Sequence, residues 1–180
     1  HLVIRRQRQM CIRDSSIINY KENKEENVNF DINPQKPGQG KREVLFSKNI
    51  YIEREDFQEN PEEGFFRLSL GEEVRLKNAY IIKAKNIIKN EKGQITEVEC
   101  EYDEKSKSGT NTEESNRKVK ATIHWVSAET AVEATINIYD RLFKVAEPGK
   151  SQDLLSEVNE NSLEIKLSLI HISEPTRRSY

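Results

Sequence analysis

The sequence predicts an all-β fold, either a barrel or a sandwich. Apolar residues alternate with polar ones in many short runs, and Gly or Pro residues separate these runs at near-regular spacing. Almost no stretch shows the longer period of an amphipathic helix. This pattern is typical of short strands that enclose one apolar core.

The first predicted strands follow a polar segment, residues 16–40, which is rich in Pro and Gly and is interpreted as a linker. Short strands are expected from Val44 to Phe46 and from Ile50 to Ile52, because alternate residues are apolar. A further strand is expected from Phe65 to Leu70.

A hairpin is the clearest pair of elements. Its strands run from Val74 to Lys89 and from Gln94 to Tyr102, and Gly93 can supply the positive φ that the short turn requires. Since successive side chains of a strand point to opposite faces, the first strand has an apolar and a cationic face. The apolar face holds Val74, Leu76, Tyr80, Ile82, Ala84 and Ile88, and the cationic face holds Arg75, Lys77, Lys83, Lys85 and Lys89.

Such a cationic face has two interpretations. It can bind RNA, because Lys and Arg neutralise phosphates while unstacked bases lie on planar side chains. Alternatively, the charges keep an exposed strand soluble and prevent it from pairing with other sheets.

Beyond the hairpin, the segment from Asp103 to Asn116 contains no apolar residue and is expected to be a solvated, mobile loop. A strand is predicted from Val119 to Val126. Ser127 is a candidate N-cap for a short helix that ends at Ala131, and alternation resumes from Val132 to Ile138.

The two ends of the chain have an unusual origin. Back-translation of residues 5–15 gives a transposase-type sequencing adapter, and the codons CTG TCT CTT ATA CAC ATC T for the start of residues 167–177 are the reverse complement of part of it. We therefore interpret residues 1–15 and 167–180 as adapter-derived artefacts, disordered at the N-terminus. The alternative is a basic nucleic-acid-binding arm at residues 5–13.

Composition limits the functional classes. Without the adapter-like ends, the 29 basic and 31 acidic residues become 23 and 29, a net charge of −6, so RNA binding would need a local basic patch. Cys100 is then the single cysteine, which fits a reducing cytoplasm. No apolar run is long enough to span a bilayer, so no membrane association is expected.

Catalytic and metal-binding patterns are scarce. His124 is the one histidine that remains once the adapter-like ends, with His1 and His171, are discounted. It is interpreted as a partly buried strand residue hydrogen-bonded to backbone. No metal-ligand spacing and no glycine-rich phosphate loop occurs. We expect no catalytic residue, no metal site and no cofactor within this sequence.

Five stretches resemble the C-terminal region of the bacterial-type glutaminyl-tRNA synthetase family. They are NPQKPGQGKREVLFSKNIYIEREDF (33–57), FFRLSLGEEVRLKNAYIIKA (65–84), RKVKATIHWVSAETAVEA (117–134), INIYDRLFKV (136–145) and DLLSEVNENSLEIK (153–166). In that family two β-barrels follow a class I catalytic domain, and the barrel nearer to it grips splayed anticodon bases. The resemblance thus implies an anticodon-binding β-barrel of the ribosomal L25-like type.

The resemblance also implies tRNA contacts. Arg67 matches the arginine of the family stretch RL-x-LG, and Arg75 matches that of VRL-x-NAY. Lys77 stands where many relatives have arginine, so a bidentate contact becomes a single one. Gln35 occupies a position where asparagine is expected.

The implied organisation has five segments: artefact (1–15), linker (16–40), anticodon-binding β-barrel (41–147), an incomplete start of a second barrel (148–166) and artefact (167–180). The signatures of the family's catalytic domain, HIGH-like and KMSKS-like, do not occur. We therefore expect a non-catalytic fragment of a larger enzyme.

That parent enzyme would attach glutamine to its tRNA with ATP and Mg²⁺, as a cytoplasmic monomer. Two alternatives stay open. The chain could be the same region of an archaeal or eukaryotic-type glutamyl-tRNA synthetase, or a stand-alone β-barrel that binds another protein.

Overall fold

The computed structural model describes residues 12–171 except 23, 25, 34, 37, 39, 151 and 152, with backbone alone at 12, 13 and 166–171. The described residues form two compact units, residues 12–132 with 169–171, and residues 133–168. The artefact interpretation of residues 1–11 and 172–180 lies outside the described residues. Within the described part, no helix is long and apolar enough to cross a membrane.

Short strands build the first unit. They are β1 (Ile12–Ile17), β2 (Glu26–Asp31), β3 (Lys41–Phe46), β4 (Asn49–Glu53), β5 (Phe57–Gln58), β6 (Leu68–Ser69), β7 (Glu73–Leu76), β8 (Ile81–Lys89), β9 (Ile95–Tyr102), β10 (Thr122–Ile123) and β11 (Trp125–Ser127). Its helices are 3₁₀ turns at Arg54–Asp56 and Glu104–Ser106 and one α-helical turn, α1 (Glu113–Asn116). The predicted all-β class is confirmed.

One curved sheet of seven strands forms the wall of the first unit, in the order β10-β7-β8-β9-β1-β4-β11. The strands at its two edges, β10 and β11, are consecutive in the chain, and only His124 separates them. Because one residue spans less than about 4 Å, the two edges must lie side by side. The sheet is therefore a nearly closed barrel with its seam at His124.

Aromatic side chains fill the barrel. The ring of Phe46 lies 5.1 Å from that of Trp125 and 5.2 Å from those of Tyr20 and Tyr80. Tyr80 in turn packs edge-on against Tyr102 at 5.0 Å. These rings bury large apolar areas, and the edge-to-face geometry of three of the pairs, all except Phe46 with Tyr80, adds a favourable electrostatic contribution.

The predicted strand from Val74 to Lys89 is in fact a tight antiparallel pair, β7 and β8. Asn78, with φ 58°, turns the chain between them, and the Leu76 amide donates to the Tyr80 carbonyl at 2.8 Å. Asparagine tolerates this left-handed conformation better than most residues. The turn was missed because alternation continues across it.

The alternation itself holds as far as Ala84 and then inverts. Ala84 pairs with Cys100 and Asn86 with Glu99, so Lys85 is the extra residue of a β-bulge. Beyond the bulge, Ile87 packs against the core, whereas Ile88, expected inside, is exposed. One inserted residue therefore exchanges the two faces.

The segment from Asp103 to Asn116, expected to be solvated and mobile, is folded onto the outer face of β7 and β8. Ser106 and Ser115 are buried, although the segment has no apolar residue. The Ile81 amide donates to Ser106 Oγ at 2.8 Å, and the Ser108 amide donates to the Ala79 carbonyl at 2.9 Å. Hydrogen bonds rather than apolar contacts hold it in place.

Three further expectations need correction. Residues 12–15, predicted to be disordered, belong to β1, which pairs antiparallel with β4 and parallel with β9. The hydrogen bonds between strands join backbone groups, so this pairing depends little on which side chains are present. Ser127 caps no helix. It ends β11, and its hydroxyl lies 2.8 Å from that of Ser47. The strand predicted from Phe65 to Leu70 shrinks to the two residues of β6.

The second unit contains β12 (Ala131–Tyr139), most of which lies in it, paired with β13 (Leu163–His171), and a 3₁₀ turn at Leu155–Glu157. The units divide after Val132. No Gly or Pro marks this point, because β12 follows β11 after a short turn. β11 pairs with β4, whereas β12 pairs with β13. The sequence interpretation of a first barrel that ends at residue 147 stays a prediction. The assignment of the following residues to a second barrel stays a prediction.

Candidate nucleic-acid interface

Arg75 lies on the outer face of β7 and is held by the segment 103–117. Its guanidinium donates to the backbone carbonyls of Ser115 at 2.7 Å, Ser106 at 3.1 Å and Arg117 at 3.3 Å, and to Ser108 Oγ at 3.3 Å. Partial burial, followed by the charge of Arg117, lowers the pKa of Arg75. These contacts make Arg75 a clamp for the segment above it.

Arg67 is also tied into the structure. It forms an ion pair with the carboxylate of Asp56, whose side chain is 2% exposed, while that of Arg67 is 24% exposed. A buried carboxylate is costly without a partner, so Arg67 neutralises it. Phe66, the preceding residue, projects outward and is 67% exposed. The Arg67 fork therefore faces inward while an aromatic ring beside it faces solvent.

Lys77 has the opposite character. It stands exposed at the start of the β7–β8 turn, and within the described residues its ammonium group makes no ion pair. Its backbone is fixed, because its amide donates to the Ile123 carbonyl at 2.9 Å and its carbonyl accepts from Trp125 Nε1 at 2.9 Å. Lys77 is thus a free cation on a rigid support.

Gln35 is exposed in the β2–β3 connection, where its backbone amide donates to Asn33 Oδ1 at 3.0 Å. The predicted tRNA contacts therefore differ in kind. Arg67 and Arg75 hold separate internal partners, whereas Lys77 and Gln35 are presented to solvent. The role of all four in binding tRNA stays a prediction.

Two residues beside Lys77 were not singled out for binding. His124 occupies the seam between β10 and β11, directly between the two residues that hydrogen-bond the Lys77 backbone. Arg42 pairs with Phe30 across β3 and β2, and its guanidinium carbon lies 5.6 Å from the Phe30 ring, which is 6.2 Å from the Trp125 ring. We call Arg42, Lys77 and His124 the seam cluster.

His124 is partly buried, as expected, but its predicted hydrogen bond to backbone is missing at one nitrogen. Nδ1 is buried without a partner among the described residues. Burial is the largest cause that lowers the pKa of His124, followed by the positive charges of Lys77 and Arg42. No sequence signal could have revealed this cluster, because Arg42 lies 35 positions before Lys77 and is placed by the pairing of β3 with β2.

Metal binding finds no support in the described part of the chain. No group of three or more His, Cys, Asp or Glu residues there is arranged to hold a metal ion. Cys100 is buried, and burial raises the pKa of its thiol to about 12, which disfavours the thiolate form that would bind a metal ion.

Comparisons with known proteins agree with the barrel fold. Residues 7–103 match the family described as tRNA synthetases class I (E and Q), anti-codon binding domain, and residues 122–174 match a second family with the same description. The chain is 46% identical over 160 residues to the glutamine–tRNA ligase of Aliivibrio fischeri, covering 89% of this chain and 29% of that protein. Those of Clostridium perfringens and Pectobacterium atrosepticum are 45% identical over 150 residues and 47% over 149, each covering 83% of this chain.

The chain spans less than a third of the length of these relatives, 27% in the latter two cases. The match to the first family nevertheless extends over more than half of the chain, and it includes strands β1 to β9 of the barrel. The chain therefore belongs to the anticodon-binding domain family of the class I tRNA synthetases (E and Q).

Proposed function

We propose that this chain is the anticodon-recognising part of a glutamine–tRNA ligase. The observation that carries the proposal is the match of residues 7–103 to the family, together with glutamine–tRNA ligases as relatives at 45–47% identity. The same family name covers glutamate enzymes (E), so the glutamyl-tRNA synthetase alternative concerns the amino acid and not the mode of binding.

The barrel offers suitable groups for an unstacked RNA loop. Lys77 presents a free ammonium group, and Phe66 presents an exposed ring on which a base can stack. Stacking of a base on an aromatic side chain contributes about 1 to 3 kcal/mol. These groups can therefore supply binding even though Arg67 and Arg75 are engaged internally.

In the whole enzyme, glutamine would be activated with ATP and Mg²⁺ and transferred to the tRNA bound through this barrel. ATP and Mg²⁺ would supply the adenylation chemistry, and the described residues include no group of three or more His, Cys, Asp or Glu arranged to hold a metal ion. This chain would hold the anticodon while chemistry takes place elsewhere in the enzyme. We further propose that the enzyme acts in the cytoplasm as a monomer.

Binding of RNA stem–loops tests the proposal. Fluorescence anisotropy would compare a stem–loop carrying a glutamine anticodon with one in which only the three anticodon bases are changed. We expect tighter binding of the first, and binding of both that weakens as salt increases. A stem–loop with a glutamate anticodon distinguishes the alternative amino acid. Equal affinity for every anticodon, or no binding at low salt, would contradict anticodon recognition.

A further inference from the structure

The seam cluster concentrates positive charge where the barrel closes. Lys77 follows β7, His124 joins β10 to β11, and Arg42 lies on β3. The Lys77 backbone is hydrogen-bonded to residues on both sides of His124. Arg42 reaches the same place over the ring of Phe30, which packs near Trp125. Three separate segments thus place two cationic side chains near the His124 imidazole, close enough for both charges to act on it.

Arg42 and Lys77 take part in no ion pair within the described structure. Several other cations of the barrel wall, Lys85, Lys89 and Lys120 among them, have acidic partners. Among the described residues, Lys77 and Arg42 are the charged groups that lower the pKa of His124, because both repel its protonated form. The cluster is therefore an unneutralised positive site.

Hydrogen-bonding capacity is also unfilled at this point. Arg42 Nε and His124 Nδ1 are both buried and have no partner among the described residues. Buried polar groups of native proteins are usually paired, and one left unpaired costs about 1 to 3 kcal/mol. An anion that accepted from the outer nitrogens of Arg42 and His124 would offset the repulsion that Lys77 and Arg42 exert on protonated His124.

We propose that the seam cluster binds a phosphate group, and that in the complex this is a phosphodiester of the bound RNA loop. The inference rests on the proposed function for the source of the phosphate, but not for the chemistry of the site. A guanidinium fork and an ammonium group are the side chains best suited to phosphate oxygens. His124 gains its proton when the anion is present and becomes a third donor.

A phosphate contact positions RNA without reading its sequence. The seam cluster therefore has a different signature from a base-reading residue. Loss of one of its charges should weaken cognate and changed-anticodon stem–loops by the same factor, and should reduce the salt dependence of binding.

Salt titrations of charge-removing variants test this in the full chain. Arg42→Gln and Lys77→Gln should each lower the slope of log K against log salt by about 0.7 to 1. Arg42→Lys, which keeps the charge, should retain most of the slope and shows that packing on Phe30 is not the cause. Lys92→Gln is the matched control, because Lys92 is exposed in the β8–β9 turn and should leave the slope unchanged.

A second arm uses inorganic phosphate and needs no RNA. The imidazole signal of His124, assigned with His124→Gln, would be followed by NMR at low ionic strength with phosphate or with chloride at matched ionic strength. Phosphate should raise the pKa of His124 in the original chain and not in Lys77→Gln.

The two arms separate the outcomes. A response to inorganic phosphate without RNA binding would contradict the proposed function and support the site, with a free phosphate compound as its ligand. A reduced salt slope without a response to inorganic phosphate would support a phosphodiester as the sole ligand. RNA binding with unchanged slopes in both variants, and no response of His124, would overturn the inference while the proposed function stands. Failure of both arms would overturn both.

Discussion

Replacing Arg75 with alanine should release the segment 103–117 from the outer face of the sheet. Two of the four hydrogen bonds of Arg75 are short, 2.7 Å to the Ser115 carbonyl and 3.1 Å to the Ser106 carbonyl. A hydrogen bond from a charged donor contributes about 1.5 to 3 kcal/mol, and water replaces part of that here because the guanidinium is partly exposed. The variant should therefore lose about 2 to 3 kcal/mol of unfolding free energy.

Urea denaturation followed by tryptophan fluorescence measures this loss, because Trp125 is the single tryptophan and lies in the barrel core. The melting temperature should fall by about 5 to 10 °C, given about 2 to 4 °C per kcal/mol for a chain of this size. Trypsin should also cleave faster after Lys105 and Lys107. Lys83→Ala is the matched control, since Lys83 lies on the same face of the adjacent strand.

An unchanged unfolding free energy would refute the role of Arg75 as a clamp. If Arg75→Ala unfolds within about 0.5 kcal/mol of the original chain, like an ordinary surface substitution, Arg75 is not a clamp. Tryptic cleavage after Lys105 at an unchanged rate would lead to the same conclusion. A loss of RNA binding in an otherwise stable variant would instead indicate that Arg75 contacts RNA directly.

Three more predictions concern burial and charge. Arg67→Ala removes the Arg67 cation from the buried Asp56 carboxylate and should cost about 3 kcal/mol in urea unfolding. Asp56→Asn with Arg67→Met should recover part of this loss, and equal stability of the single and double variants would contradict the prediction. Ser15→Val should stabilise the barrel by about 1 kcal/mol, because Ser15 is 2% exposed and its hydroxyl has no partner within the described residues; a lower melting temperature would refute that. The pKa of His124 in the folded chain lies below its ordinary value of 6.5, so as the pH falls below 6.5 the unfolded chain binds a proton more readily and the unfolding free energy decreases. His124→Gln should reduce this decrease. Parallel pH profiles of stability for the variant and the original chain would exclude the contribution of His124.

The strands of the barrel could be predicted because alternation records which face is buried. Val74, Leu76, Ile82 and Ala84 are all in the core, as their spacing indicates. The alternation of apolar and polar residues fails at Lys85, because a bulge changes the register of the strand without changing its composition. Because Ile87 and Ile88 are both apolar, the sequence does not show which of them faces the core after one residue is inserted.

Polar structure was harder to predict than apolar structure. The segment 103–116 has the composition of a solvated loop, but its serines and the Arg75 fork supply the hydrogen bonds that order it. The family resemblance implied that the same fork contacts tRNA, which stays a prediction, but the sequence did not reveal the internal acceptors that hold it. Arg42 entered the candidate site through its pairing with Phe30, which depends on a register that no local pattern reveals.

The most direct test of this account is an amide NMR map of the chain on titration with the glutamine anticodon stem–loop. We predict the largest shifts at Lys77, Asn78 and His124, where the β7–β8 turn meets the barrel seam. Shifts confined to the opposite turn from Asn90 to Gly93, or no shifts at low salt, would contradict the claim that the seam side of this barrel receives the anticodon loop.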